Sequence, residues 1–180
     1  MKSRHGSSTP IRGAGVADVD GLECWTCTIY GDPVAKGRPR FARRGRGVVS
    51  YTPAKTQVFE AEAAAFFVES WGDRPPLARP CELTVVSIFK RPERLRCKHK
   101  RPCKCDPRRL PHVSRPDLDN CLKACADALQ RFTADGRSVL ADDSLICSLH
   151  AVKVYAADDP YDEPRTEVRL CWGDAVEAMR

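Results

Sequence analysis

The 180-residue sequence contains no hydrophobic run of the roughly 20 residues that a membrane-spanning helix needs. Its first segment, MKSRHGSSTP, also lacks the apolar stretch of a secretory signal. Ten cysteines could form a disulfide framework in a secreted protein, but without a signal segment we expect reduced cysteines and a cytoplasmic location. The chain length fits one domain with its own hydrophobic core.

Acidic residues are absent from residues 34–50, which carry six Lys or Arg. Residues 90–109 carry ten Lys or Arg against two acids. These two blocks total +14, so the rest of the chain carries −8 of the net charge of +6. Such a layout suits a polyanion lying across basic loops beside an acidic pocket, although basic loops can also serve solubility alone.

Hydrophobic periodicity predicts strands over residues 24–30, 81–90, 144–155 and 166–172, with helices over 55–70 and from 116 onward. Residues 1–22 have no periodicity and are predicted to be a flexible N-terminal tail. The order β-α-β-α-β-β predicts a single α/β (α+β) domain over residues 23–175. In it, helices pack on one small mixed sheet.

The segment RPDLDNCLKACADALQ, residues 115–130, combines carboxylates with an amphipathic helix. Pro116 suits the first helical turn, where Asp117 and Asp119 would also face the positive end of the helix dipole. One apolar stripe is predicted to face the core, at Leu118, Leu122, Cys125, Leu129 and Phe132. A second face presents Asp119, Lys123, Asp127 and Gln130.

This acidic helix start has two interpretations. The carboxylates could merely cap the helix, with Asp119 paired to Lys123 one turn later. However, a second acidic pair, Asp142 and Asp143, directly precedes the predicted strand 144–155. Carboxylates from a helix start and a strand start can converge, and such a cluster is usually stabilised by Mg²⁺ or Mn²⁺ with oxygen ligands.

Four motifs, YGDPVAKGRPRF, SYTPAKT, RPDLDNCLKACADAL and ADDSLI, occur in this order and together resemble the RusA family of Holliday junction resolvases. The resemblance implies a homodimeric, Mg²⁺-dependent endonuclease of bacterial, phage or prophage origin that acts on branched DNA such as a four-way junction. It implies that Asp117, Asp119 and Asp143 bind the metal, with Asp142 as a further candidate ligand, and that Lys123 is an essential catalytic lysine.

Two other segments carry candidate binding residues. A basic, Gly-rich loop is predicted to clamp DNA backbone phosphates through Lys36, Arg38, Arg40, Arg43 and Arg44. A basic insertion at 94–110, with His112 shortly after it, offers possible zinc ligands at Cys97, His99, Cys103, Cys105 and His112. The alternative for this insertion is a mobile loop that contacts DNA.

The remaining cysteines carry no predicted chemistry. Cys24 and Cys27 lie at odd spacing on a strand and should point to opposite faces. The others in periodic segments are interpreted as small core residues: Cys121, Cys125, Cys147 and Cys171. The acidic loop DDPYDEP is interpreted as a solvated connection between strands.

The leading hypothesis is therefore phosphodiester hydrolysis in branched DNA, in a metal-dependent endodeoxyribonuclease that acts in DNA recombination and repair. Two alternatives stay open from the sequence. One is a metal-dependent nuclease that cuts DNA flaps, replication forks or RNA, because a carboxylate cluster alone does not determine which substrate is cut. The other is a non-catalytic nucleic-acid-binding protein with a zinc-bearing loop.

Overall fold

A computed structural model describes residues 15–19, 21–45, 47–98 and 108–177. The strands are β1 (Gly15–Val19), β2 (Leu22–Tyr30), β3 (Arg40–Arg44), β4 (Gly47–Tyr51), β5 (Cys81–Phe89), β6 (Leu110–Pro111), β7 (Ile146–Tyr155) and β8 (Arg165–Trp172). The helices are α1 (Ala54–Trp71), α2 (Leu118–Gln130) and the short α3 (Asp174–Glu177). None of the described helices is long and apolar enough to cross a membrane.

Six strands form one mixed sheet in the order β1-β2-β8-β5-β7-β6. Only β5 and β7 run parallel, and the other neighbours are antiparallel. The long connection between β5 and β7 carries α2, as parallel strands require a crossover. The predicted mixed α+β domain with helices packed on its sheet is confirmed.

The core lies between the sheet and the two long helices. Alternate residues of β2, β5 and β8 point inward and meet α1 and α2; the fully buried side chains include Trp25, Leu83 and Leu170 from the strands and Phe67 and Leu129 from the helices. The indole rings of Trp25 and Trp71 meet edge to face at 5.7 Å between centroids. Cys125, Ala128 and Leu129 of α2 belong to the same core, and their packing holds α2 against the sheet.

Two segments predicted to be a tail and a loop form strands. Residues 15–19, predicted as part of the tail, form β1 and pair with β2 through a turn at Gly21, whose φ is 78°. The predicted Gly-rich loop contains the hairpin of β3 and β4. All of its described side chains are exposed. Neither face is buried, so the sequence needs no apolar-polar alternation, and without that alternation no strand was predicted.

The acidic helix begins later than predicted. Its first residue is Leu118, Asp117 is the N-cap, and Pro116 precedes the helix behind a cis peptide bond. The predicted apolar stripe is wrong at its ends, since Leu118 is 39% and Phe132 66% exposed. The buried face instead consists of Cys121, Ala124, Cys125, Ala128 and Leu129. The alanines and Cys121 repeat with the same 3.6-residue period as the predicted apolar stripe, on a neighbouring face of the helix. Periodicity alone therefore did not show which of the two faces is buried.

The cysteines depart from the prediction in two places. Cys24 and Cys171 form a disulfide between directly paired positions of β2 and β8, so Cys171 is not a free core thiol. Cys147 is exposed rather than buried. Cys27 lies in the core on the opposite face from Cys24, and burial raises the pKa of its thiol to about 11. Its thiol is therefore protonated near neutral pH.

Candidate active site

One concavity brings together the charged face of α2 and the acidic segment before β7. Its volume is ≈ 230 Å³. The lining residues are Asp119, Leu122, Lys123, Ala126, Asp127, Asp143, Ile146 and Leu149. The polar part of this surface thus consists of three carboxylates and one lysine, drawn from two segments that are separate in sequence.

The carboxylates at the start of α2 are not engaged in the helix itself. Asp117 has N-cap backbone geometry, but its side chain makes no cap hydrogen bond. Within the described part of the chain, no ion pair joins Asp119 to Lys123. The capping interpretation therefore does not account for Asp117 and Asp119. Both carboxylates are exposed, although Asp117 lies just before α2 and does not line the concavity.

The structure separates the two residues of the second acidic pair. The side chain of Asp142 accepts a hydrogen bond of 2.8 Å from the backbone N–H of Ser144 and caps the 3₁₀ turn Asp143–Leu145. Hydrogen bonding from Ser144 lowers the pKa of the Asp142 carboxyl. Asp143, by contrast, lines the concavity.

The connection between α2 and Asp143 folds back on the end of the helix. The backbone N–H groups of Val139 and Leu140 both donate to the carbonyl of Leu129, at 3.0 and 2.9 Å. The Gln130 side-chain oxygen then accepts a hydrogen bond of 3.2 Å from the backbone N–H of Asp143. These contacts bring Asp143 to the same concavity as Asp119.

The backbone that enters α2 is held by β7. The ammonium of Lys153 donates to the carbonyl of Ser114 at 2.7 Å and also to that of Pro116, directly before Asp117. The hydroxyls of Ser114 and Tyr155 lie 3.0 Å apart. Sequence reasoning missed Lys153, although a lysine inside the predicted strand 144–155 was an available signal.

His112 is buried beside this backbone segment. Its ring lies between Phe89 and Tyr155, with centroid distances of 4.2 and 4.4 Å. Burial, and then the positive charge of Lys153, lower the pKa of His112. The imidazole is thus part of the packing around the entry to α2.

Lys36 lies beside the concavity and not among exposed arginines. Its ammonium pairs with the carboxylate of Asp127 and lies 3.6 Å from that of Glu60. Its backbone N–H donates to the carbonyl of Asn120 on α2 at 2.8 Å. Sequence reasoning grouped Lys36 with the DNA-contacting residues, whereas the structure gives it two carboxylate partners.

The residue after Lys36 explains why glycine stands in this motif. The backbone N–H of Gly37 donates to the Thr56 hydroxyl at 3.0 Å. A Cβ atom on Gly37 would lie 2.9 Å from the ring of Pro53, closer than real Cβ contacts. The loop is therefore held tightly between α1 and α2. The other predicted DNA-binding residues, Arg38, Arg40, Arg43 and Arg44, are exposed.

The predicted zinc ligands are only partly described. His99, Cys103 and Cys105 lie outside the described residues, and His112 is buried between aromatic rings. Both described ends of the insertion contact the acidic loop: the Cys97 N–H donates to Asp158 at 2.8 Å, and the Arg109 guanidinium binds Asp162 twice at 2.9 Å. That loop thus anchors the insertion, beyond the connecting function predicted for it.

The donor chemistry of the concavity suits a hard cation. Asp119, Asp127 and Asp143 offer carboxylate oxygens, the ligands preferred by Mg²⁺. In the described ranges, no three His, Cys, Asp or Glu side chains are gathered closely enough to hold a metal. The carboxylates therefore line a shared surface and do not form a closed cage.

A concavity lined by carboxylates is a surface on which a divalent metal ion could assist phosphodiester hydrolysis. The family model described as "Endodeoxyribonuclease RusA" matches residues 30–171, and the chain belongs to this family. The resemblance inferred from the motifs is confirmed. Membership implies an endodeoxyribonuclease, a hydrolase of phosphodiester bonds, in a family that acts on branched DNA junctions.

One relative comes from Bacillus subtilis (strain 168), an uncharacterized protein named YqaN. It is 29% identical over 149 residues, which cover 83% of this chain and 96% of the relative. No solved structure matches the chain.

Proposed function

We propose that this protein is a Mg²⁺-dependent endonuclease that cuts four-way DNA junctions, and that the concavity beside α2 is its catalytic site. The observation that carries the proposal is that Asp119, Lys123 and Asp143 line one surface, although they come from separate segments. Neither helix capping nor an Asp119–Lys123 ion pair accounts for this arrangement.

The proposed metal ligands are Asp119 and Asp143, which line the concavity, and Asp117, which lies just before α2 and is assigned from the motif. When bound there, Mg²⁺, or Mn²⁺ in its place, would supply an activated water and stabilise the leaving oxygen. Lys123 would bind the phosphate and neutralise the charge that develops on it during cleavage. Lys36 neutralises Asp127, which lowers the repulsion that a phosphate would meet on this surface.

DNA binding is assigned to the exposed arginines Arg38, Arg40, Arg43 and Arg44. They would contact backbone phosphates, so affinity should fall steeply with salt. Resolution of a four-way junction needs two symmetry-related cuts, and one chain offers one such concavity. We therefore propose a homodimer, because two-fold pairing is the simplest way to supply the second site. With DNA as its substrate, we propose that it acts in the bacterial cytoplasm, in DNA recombination and repair.

A nicking assay on synthetic four-way, forked and linear DNA, with and without Mg²⁺, tests this function. We expect paired nicks in the four-way junction only with Mg²⁺, loss of cleavage in Asp119→Asn, and persistent junction binding by that variant. Asp73→Asn removes a fully exposed carboxylate elsewhere and serves as the matched control. Full activity of Asp119→Asn would exclude the metal site, and equal cutting of linear DNA would exclude junction specificity.

A further inference from the structure

The hairpin of β3 and β4 is exposed on both faces. Every described side chain in these strands is exposed, and the hairpin makes no extensive contact with any other described helix or strand. An isolated two-stranded hairpin is at best marginally stable in water. A partner that covers this hairpin would therefore stabilise it.

The two faces of the hairpin have similar composition. Directly paired residues of antiparallel strands lie on the same face, so Arg40 shares a face with Tyr51, and Arg43 shares one with Val48. Alternation along β3 places Phe41 on the face of Arg43. Each face thus combines an arginine, an aromatic ring and an aliphatic side chain. Phe41 is the most exposed of these rings, at 73%.

Charge identifies the kind of partner. Residues 34–50 contain six basic residues and no acid, so the hairpin favours a polyanion. Its exposed aromatic rings can stack on flat apolar surfaces of that polyanion. In continuous duplex DNA the base faces are stacked within the helix, whereas at a branch point they can be exposed. Arginine with an aromatic ring is the usual combination for phosphates and unstacked bases.

The base of the hairpin is fixed next to the catalytic concavity. Lys36, four residues before β3, pairs with Asp127 in the lining of the concavity. At the other end, the Gln57 side chain donates to the carbonyl of Thr52 at 3.1 Å. Five residues per strand give the hairpin a reach of about 17 Å from this base.

We infer that the hairpin of β3 and β4 enters the branch point of the DNA, where Phe41 stacks on an exposed base while Arg40, Arg43 and Arg44 bind the flanking phosphates. This inference rests on the proposed function, since it requires a branched substrate. It adds a contact that distinguishes branched from linear DNA, which phosphate contacts alone do not provide.

The test uses a four-way junction with the fluorescent base 2-aminopurine at the branch point. Binding is measured with the full chain in the Asp119→Asn background, so that the junction is not cut. We expect binding to change the fluorescence, and Phe41→Ala to abolish that change. The same substitution should weaken junction binding about tenfold, within the range measured for loss of one base-aromatic stack, and leave linear duplex binding unaltered.

The matched control is Tyr161→Ala, which removes a ring that is 90% exposed in the acidic loop. It should change neither fluorescence nor affinity. Unchanged junction binding by Phe41→Ala, or an equal loss on linear duplex, would overturn the inference. A shift of Phe41→Ala from dimer to monomer in light scattering would also overturn it. That result would mean that a second copy of the chain covers the hairpin in the unsubstituted protein.

Cleavage assays without the Asp119→Asn substitution distinguish failure of the hairpin inference from failure of the proposed function. If the unsubstituted chain cuts the junction while Phe41→Ala binds and cuts equally well, only the hairpin inference fails. If the unsubstituted chain neither binds nor cuts the four-way junction, the proposed function fails, and the inference fails with it.

Discussion

The side-chain oxygen of Gln130 accepts a hydrogen bond of 3.2 Å from the backbone N–H of Asp143. Through this contact α2 positions carboxylates at both of its ends: Asp119 lies in its first turn, and Gln130 holds the turn that carries Asp143. The geometry of the proposed site therefore depends on a neutral residue that is not itself a proposed metal ligand.

Gln130→Ala should slow single-turnover cleavage of a four-way junction about 2- to 10-fold. One net hydrogen bond contributes about 0.5–1.5 kcal/mol, and here its loss frees the turn that carries Asp143. Junction affinity should stay near that of the unsubstituted protein, and the unfolding temperature should fall by only a few degrees. An unchanged cleavage rate would mean that the two backbone hydrogen bonds to Leu129 are enough to hold the turn.

Lys123→Ala should lower the single-turnover rate about 100-fold, with a much smaller effect on affinity, as expected for a group that acts on developing charge. Lys55, an exposed lysine on α1, supplies the control variant Lys55→Ala. If Lys123 served only as an ion-pair partner on the helix surface, its removal would affect stability by ~0.3–0.5 kcal/mol and leave cleavage nearly normal.

Lys36→Met should lower the free energy of unfolding by about 1–3 kcal/mol, because Glu60 and Asp127 lose their shared counter-charge in a partly buried setting. Arg38→Met, two residues away and exposed, should change stability by less than about 0.5 kcal/mol. In DNA binding, Arg38→Met should have the larger effect of the two variants. Arg38→Met should reduce the salt dependence of affinity by about one phosphate contact, and Lys36→Met should not.

Denaturant unfolding combined with salt titration of binding measures both quantities. Loss of a phosphate contact in Lys36→Met, with unaltered stability, would return Lys36 to the DNA-binding group.

Stability should fall on acidification below the ordinary His pKa of 6.5, because His112 has a lowered pKa in the folded protein. The unfolded chain then takes up the proton first. The stabilisation is present above pH 6.5 and is lost as pH falls toward the folded-state value. His112→Phe keeps a ring between Phe89 and Tyr155 but cannot titrate. Urea unfolding of both proteins between pH 7.5 and 5 should show a pH dependence in the unsubstituted chain that is reduced in the variant.

Much of the architecture could be predicted from the sequence because it depends on local pattern. The strand at 24–30, the helix at 55–70 and the strand at 166–172 follow from side-chain periodicity, and each lies within two residues of its observed bounds. The family followed from four short motifs, and its match covers residues 30–171. The charge of the 34–50 segment, which favours nucleic acid, is also a property of composition alone.

Tertiary structure decided which charged groups meet. Lys36 and Arg38 are equivalent in the sequence pattern, yet one pairs with Asp127 across 91 positions and the other is exposed. Asp142 and Asp143 are adjacent, yet one caps a turn and the other lines the concavity. Periodicity reports which side of an element is buried, whereas ion pairs, the Cys24–Cys171 bond and the Lys153 contacts depend on how distant segments pack together, and no local pattern encodes that packing.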